Sequence, residues 1–186
     1  MRPSRQRTLS LINRQDVRGV DLRLLRRVVR ALLREAWPRG SFDLVVHLVA
    51  APEMTRLNEA FLHHKGSTDV ITFDYSEGGG QASRLSAARS TLLPANPEQD
   101  TPAPPLHGEI LVCLDEAVSQ ARRFRGTWQS ELVRYVVHGV LHLLGYDDQE
   151  ARSRRRMRRL EDGLVRHLAR QFELDSLGPS RQGDGS

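Results

Sequence analysis

Between Thr127 and Leu144 the chain carries a segment that has to be enclosed. Val136, Val137, Leu141, Leu143 and Leu144 put apolar side chains on nearly every side of a helix. A helix with no polar face is stable only inside a core, so other elements must cover it on more than one side. At 186 residues the chain is long enough for one domain with such a core. Two imidazoles, His138 and His142, sit in the same run. Burying them without hydrogen bonds or a ligated ion is costly, so the fold must supply one or the other.

The flanking sequence predicts the covering layers. Leu9 to Ile12 reads as a first strand, and Asp21 stands as N-cap before Leu22, Leu25, Val29, Leu32 and Ala36 at helical spacing. Pro38 and Gly40 end that helix. Phe42 to Ala50 reads as a buried strand, and Pro52 opens a helix through Met54, Leu57 and Phe61. Val70 to Phe73 and His107 to Leu114 are further strands. Asp115 is expected to cap a helix to about Phe124, and a last helix runs from about Glu150 to Arg170. About four strands and five helices without strict βαβ alternation give an α+β class: a mixed sheet packed with helices, the histidine pair at the C-terminal end of a central helix. Residues 76–106 hold Gly78, Gly79, Gly80 and five prolines and read as a surface insertion. Residues 1–174 are expected to be the single domain, and 175–186 a disordered tail.

Composition narrows the class. The single cysteine, Cys113, excludes an internal disulfide and any multi-cysteine zinc finger. No apolar run reaches the ~20 residues of a membrane span. No apolar stretch follows Arg2, Arg5 and Arg7, so no secretory signal is expected, and a soluble intracellular protein is. The formal charge is +5, which suits a polyanion partner. Lys65 is the only lysine among 28 basic residues. Such an arginine bias also fits a GC-rich genome, and the run Arg152 to Arg159 also reads as a solvated helix face.

The chemistry lies in His138-Gly-Val-Leu-His142-Leu-Leu-Gly145-Tyr-Asp147-Asp148. Residues four apart on a helix share a face with Cβ atoms ~5–6 Å apart. His138 and His142 can therefore chelate one ion, each through a ring nitrogen at ~2.0–2.1 Å. Gly145 stops the helix in the left-handed conformation a C′ residue needs. The chain then reverses, and Asp148 can swing in as third ligand, with Asp147 as its rival. Zinc suits two imidazoles and a carboxylate, and nickel, cobalt or manganese could enter the same site. The spacing also matches the zinc-peptidase pattern H-E-x-x-H-x-x-G-x-x-H/D, except that the general-base Glu is replaced by Gly139.

Beyond spacing, His138 to Asp147 (HGVLHLLGYD) resembles the signature H-G-x-L-H-L-x-G-Y-D-H of the YbeY family of bacterial endoribonucleases. Leu57-Asn58 with Phe61, the strand Thr68-Asp69-Val70-Ile71-Thr72-Phe73, Gly108-Glu109-Ile110, and Met157 with Glu161 agree with it as well. The resemblance covers Leu9 to Arg170 apart from the insertion. It implies a metal-dependent, single-strand-specific endoribonuclease with one Zn2+, acting in the cytoplasm in maturation of the 16S rRNA precursor 3′ end and in ribosome quality control, with the ribosome or its 30S subunit as partner and no membrane. Two departures stand out. The third family ligand is usually His and here is Asp148, and the family's Tyr-Arg pair is replaced by Phe61-Leu62. His64 and Arg56, then the Arg152 to Arg159 run, are candidates to supply the missing charge, with His63 and Lys65 nearby.

The expected catalytic set is therefore His138, His142, His64 and Arg56, and the metal set His138, His142 and Asp148. Thr68, Asp69 and Glu109 are candidates to orient a ligand histidine, or to serve the scaffold. His107 is the candidate fourth ligand. The competing class is a non-catalytic RNA- or ribosome-binding module held together by metal, and a zinc peptidase is a third. Aromatic residues are only 5% of the chain, so no base-stacking platform is legible in the sequence.

Overall fold

Asp21 accepts hydrogen bonds from the Arg23 and Leu24 amides at 2.8 and 3.0 Å, the N-cap its position predicts. The computed structural model, which describes residues 6–76 and 105–179, starts with strand β1 (Arg7–Asn13), and this cap then opens α1 (Leu22–Ala36). Buried Leu25, Val28, Val29 and Leu32 recur along α1 at helical spacing and give it one apolar face. The chain continues through β2 (Phe42–Val49), α2 (Ala51–Leu57), a π-helical turn (Asn58–Leu62) and β3 (Val70–Asp74). After residues 77–104, where most of the expected insertion lies outside the described residues, come β4 (Leu106–Cys113), α3 (Leu114–Phe124), α4 (Trp128–Leu143) and α5 (Ala151–Gln171).

The sheet is mixed, in the order β1-β2-β4-β3. β1, β2 and β4 run parallel, and β3 pairs antiparallel on the edge. β1, α1 and β2 form a single βαβ unit, and the rest of the chain departs from it, as an α+β class requires.

The alternation of β4 sorts the two faces. Ile110 and Val112 join the main core with α1, α4 and α5, whereas Leu111 and Cys113 join a smaller core with Met54 of α2. Thus α4 covers one face of the sheet and α2 the other. Contact between α4 and β4 is close, because Gly139 packs against Ile110. A Cβ on Gly139 would stand 2.6 Å from Ile110 Cγ2, inside any tolerable separation.

Two expectations are corrected. Asp115 does not cap α3, which begins at Leu114 with Cys113 in the cap position. Its carboxylate instead accepts the Ala51 amide at 2.6 Å and so serves the start of α2 across the sheet end. The expected tail at Asp175 begins with a further turn, a 3-10 helix over Leu174–Leu177. Leu174 and Leu177 are buried in the main core, and the Asp21 amide donates to the Leu177 carbonyl at 2.9 Å. Residues 180–186 lie outside the described residues.

Two glycine substitutions separate packing from helix propensity. Alanine gains about 0.8–1.0 kcal/mol over glycine in a helix interior. In α5, a Cβ added to Gly163 would meet no atom within 4 Å, so Gly163→Ala should stabilise by about that amount. At Gly139 the collision costs about 1–3 kcal/mol and outweighs the gain, so Gly139→Ala should destabilise. Urea unfolding midpoints of the two variants should move in opposite directions.

Candidate metal centre

On α4, Arg134, His138 and His142 stand four residues apart, a polar stripe on a helix whose other residues from Leu132 to Leu143 are buried. His138 and His142 are partly exposed, so the stripe opens to the surface at the seam between α4 and α5. The helix ends as its glycine predicts. Gly145 has φ 87°, its amide donates to the His142 carbonyl at 2.9 Å, and the Tyr146 amide donates to the Leu141 carbonyl at 3.0 Å. These are the two hydrogen bonds of a Schellman cap. The cap also turns the Tyr146 carbonyl back towards the helix, where it accepts from His142 Nδ1 at 3.1 Å. A carbonyl can only accept, so Nδ1 of His142 carries the proton and its Nε2 presents a lone pair.

His138 is oriented from α5. Its Nδ1 donates to Glu161 Oε2 at 2.9 Å, and Arg134 donates to Glu161 Oε1 at 2.7 Å. Arg134 also reaches Asp162 Oδ1 at 2.7 Å. Burial alone would raise the Glu161 carboxyl, but the hydrogen bonds from His138 and Arg134 hold it below the usual carboxylate range. Glu161 is therefore ionised, and it sits on the buried stripe Met157, Glu161, Val165 and Leu168 of α5.

With both Nδ1 atoms committed, the two Nε2 atoms face each other at 2.9 Å. Two lone pairs at that separation repel, so a proton or a metal cation must lie between or beside them. Burial disfavours a charged His138, yet the hydrogen bond and charge of Glu161 outweigh burial and hold it above the usual imidazole value. Burial and then the neighbouring His138 push His142 down. A divalent cation between the two Nε2 atoms would take the place of such a proton. Asp148 completes the donor set, since its carboxylate and the two imidazoles offer ligand atoms within 4.8 Å of one another. Two nitrogens and one carboxylate oxygen suit a divalent ion of zinc's class.

The loop that presents Asp148 is pinned from α5: Arg154 donates Nε to the Asp148 carbonyl and Nη2 to the Gln149 carbonyl, both at 2.8 Å. Asp147, the rival ligand, instead accepts the Gln149 amide at 3.1 Å in a local turn. A cavity of about 210 Å³ opens beside the cluster, lined by Asp69, Tyr135, His138, Asp148, Met157 and Glu161 together with Arg134, Arg154 and Arg158.

Several predicted site residues lie elsewhere. Arg56 is exposed on α2, whose Met54 packs on the sheet face opposite α4. His64 is exposed in the turn that follows, and neither residue lines the cavity. His107 and Glu109 share strand parity with Leu111 and so point away from α4. His107 lies 4.0 Å from Asp43, and Glu109 lies 3.2 Å from His47. Asp69 borders the cavity, but its hydrogen bonds are local to the start of β3 and the end of β4: it accepts from Thr68 Oγ1 and the Val70 amide, and its backbone carbonyl receives the Cys113 amide. Leu62, where the resemblance expects arginine, packs on the smaller core. The guanidiniums at the cavity come instead from α4 and α5. Sequence reasoning passes over Arg134, although its place four residues before His138 on an apolar helix is a readable signal. Glu161 is legible in the same way, as an acid on the apolar stripe of α5.

The peptidase reading loses its base in space as well as in sequence, since the contact of Gly139 with Ile110 leaves no room for a glutamate side chain.

If Asp148 is the third ligand, Asp148→Ala should abolish tight zinc binding while Asp147→Ala leaves it within a few-fold. Glu161→Gln should weaken binding about 10–100-fold, because a neutral amide orients His138 without the charge. Competition with a chromophoric chelator measures all three, and equal losses in the two aspartate variants would reassign the ligand.

The family model for endoribonuclease YbeY matches residues 11–169. The endoribonuclease YbeY of Chlorobium phaeovibrioides is 36% identical over 145 residues, 77% of this chain and 80% of its own length. That of Salinibacter ruber is 32% identical over 162 residues, 87% of this chain and 92% of its own. In fold, the chain is similar to the solution structure of TM1509 from Thermotoga maritima, with a TM-score of 0.58 at 24% identity, over 96% of this chain and 100% of that one. A match spanning β1 to α5, including the histidine stripe and its acidic partner, leaves one assignment: the chain belongs to the endoribonuclease YbeY family.

Proposed function

We propose that this protein is a metal-dependent endoribonuclease that cleaves single-stranded RNA, with one zinc ion held by His138, His142 and Asp148. The observation that carries this reading is a cation-ready donor set opening into a cavity bordered by three guanidiniums. A phosphodiester is the substrate such a pairing suits, because the donor set takes a divalent Lewis acid and guanidiniums match phosphate oxygens in pairs. The names of the relatives support RNA as the polymer.

Held by His138, His142 and Asp148, a divalent ion would supply Lewis acidity towards a water or a phosphate oxygen. The chain's own residues do the rest. Glu161 and the Tyr146 carbonyl hold the two rings with Nε2 forward, and Arg134 keeps Glu161 ionised in its buried position. Arg154 fixes the loop that carries Asp148. The arginine side of the cavity draws in the substrate phosphate and stabilises the extra negative charge that develops at phosphorus.

The biological setting we propose is maturation of the 3′ end of the 16S rRNA precursor and ribosome quality control, with the ribosome or 30S subunit as partner, in the cytoplasm. No helix among the described residues is long and apolar enough to cross a membrane.

The test is incubation of purified protein with RNA carrying a labelled single-stranded tail, with and without chelator. Cleavage should depend on added zinc and drop at least about 100-fold in His142→Ala and Asp148→Ala. Cleavage that survives in both variants would sink the metal mechanism. RNA binding without any product would transfer the assignment to a metal-stabilised binding module.

A further inference from the structure

We propose that Arg158 is the guanidinium that grips the substrate phosphate at the metal site, a role that rests on the reading of this cavity as a phosphodiester-cleaving centre. Three arginines border the cavity, and two are already engaged. Arg134 is held by Glu161 and Asp162 at 2.7 Å and approaches Glu131 at 3.9 Å, so its charge is committed to Glu161, which orients His138, and to the acids beside it. Arg154 spends its Nε and Nη2 donors on the carbonyls of Asp148 and Gln149. Arg158 has no hydrogen bond or ion pair among the described residues, is exposed, and lines the same cavity as His138 and Asp148.

Helix geometry explains why this arginine differs from its neighbours. Arg154, Arg158 and Glu161 fall at i, i+4 and i+7, so they share the α5 face turned to the metal residues. Of the remaining arginines in the run, Arg156 lies over the Tyr146 ring at 5.4 Å, and Arg152, Arg155 and Arg159 do not line the cavity. The run is therefore not a uniform basic face: two of its members border the cavity, and only one of those has all its donors to spare.

Electrostatics gives the free donor its task. Asp69, Asp148 and Glu161 all border the cavity, and only Glu161 is neutralised by a contact with Arg134. An incoming phosphate would meet the other two carboxylates, so it needs a cation besides the metal. A guanidinium supplies two parallel N–H donors to a phosphate, and an exposed one gives up no existing partner to do so.

The experiment separates the phosphate contact from the cleavage reaction. Zinc-loaded wild type, Arg158→Ala, Arg158→Lys and Arg155→Ala are titrated with a non-cleavable 2′-O-methyl single-stranded oligonucleotide across a salt series, and assayed in parallel for RNA cleavage. Losing one phosphate contact lowers the slope of log affinity against log salt by about 0.7 for a single strand. Arg158→Ala should show that drop, and Arg155→Ala should not. Arg158→Lys should recover the slope but not the full cleavage rate, because an ammonium cannot pair two oxygens in one plane. In Arg158→Ala the kcat should fall about 100–1000-fold, with zinc affinity and thermal midpoint unchanged. An unchanged slope in Arg158→Ala, or equal drops in Arg158→Ala and Arg155→Ala, overturns the proposal. If wild type binds the oligonucleotide but cleaves no RNA, the nuclease reading fails alone, and the slopes still decide whether Arg158 holds the phosphate.

Discussion

The seating of α4 on the sheet governs everything else in this molecule. Gly139 brings the helix axis close to β4 over Ile110, and the apolar residues around it are enclosed by the sheet, α3 and α5. An enclosed helix can still carry polar side chains, but only along a line where the enclosure is incomplete. That line is Arg134, His138 and His142, opposite α5. The functional stripe is the one side of α4 that the core does not close.

Because the stripe is half-buried, its charges have to be paired. A carboxylate such as Glu161 would be expensive in the seam by itself. It receives one hydrogen bond from His138 and one from Arg134, and Arg134 is held in turn by Asp162. Pairing of this kind adds little net stability in most proteins, since desolvation offsets much of the attraction. Its consequence here is directional. Once Glu161 and the Tyr146 carbonyl accept the hydrogen bonds from the two Nδ1–H groups, the Nε2 atoms are turned towards each other, and convergence of lone pairs is what defines a cation site.

Much of this is readable in the residues, for a physical reason that differs from case to case. Asp21 before an apolar stripe acts as an N-cap, and Gly145 after the last apolar residue as a left-handed stop, because both are local backbone effects. The histidine pair is legible because helical periodicity alone puts i and i+4 on one face. Asp115 misleads because its side chain serves a helix 64 positions away in the chain, a partner no local pattern contains. Arg56 suits the site by chemistry, yet it stands on α2, which packs on the far face of the sheet, and His64 is exposed in the turn beyond it. Strand parity likewise sends His107 and Glu109 away from α4, and parity has no meaning until the register is known.

By itself the sequence determined the α+β class, the enclosed central helix, the histidine pair on it, the glycine that ends it and the family to which the chain belongs. Each follows from short-range periodicity, backbone stereochemistry or a contiguous motif. Which nitrogen of each ring points inward, the hold of Glu161 and Arg134 on them, the nearness of the Asp148 carboxylate to the two imidazoles and the arginines that meet the cavity all belong to the tertiary structure. Those are relations between elements distant in sequence. They are set by how α4 packs between the sheet and α5, and that packing is the sum of many non-local contacts with no signature in any one stretch of residues.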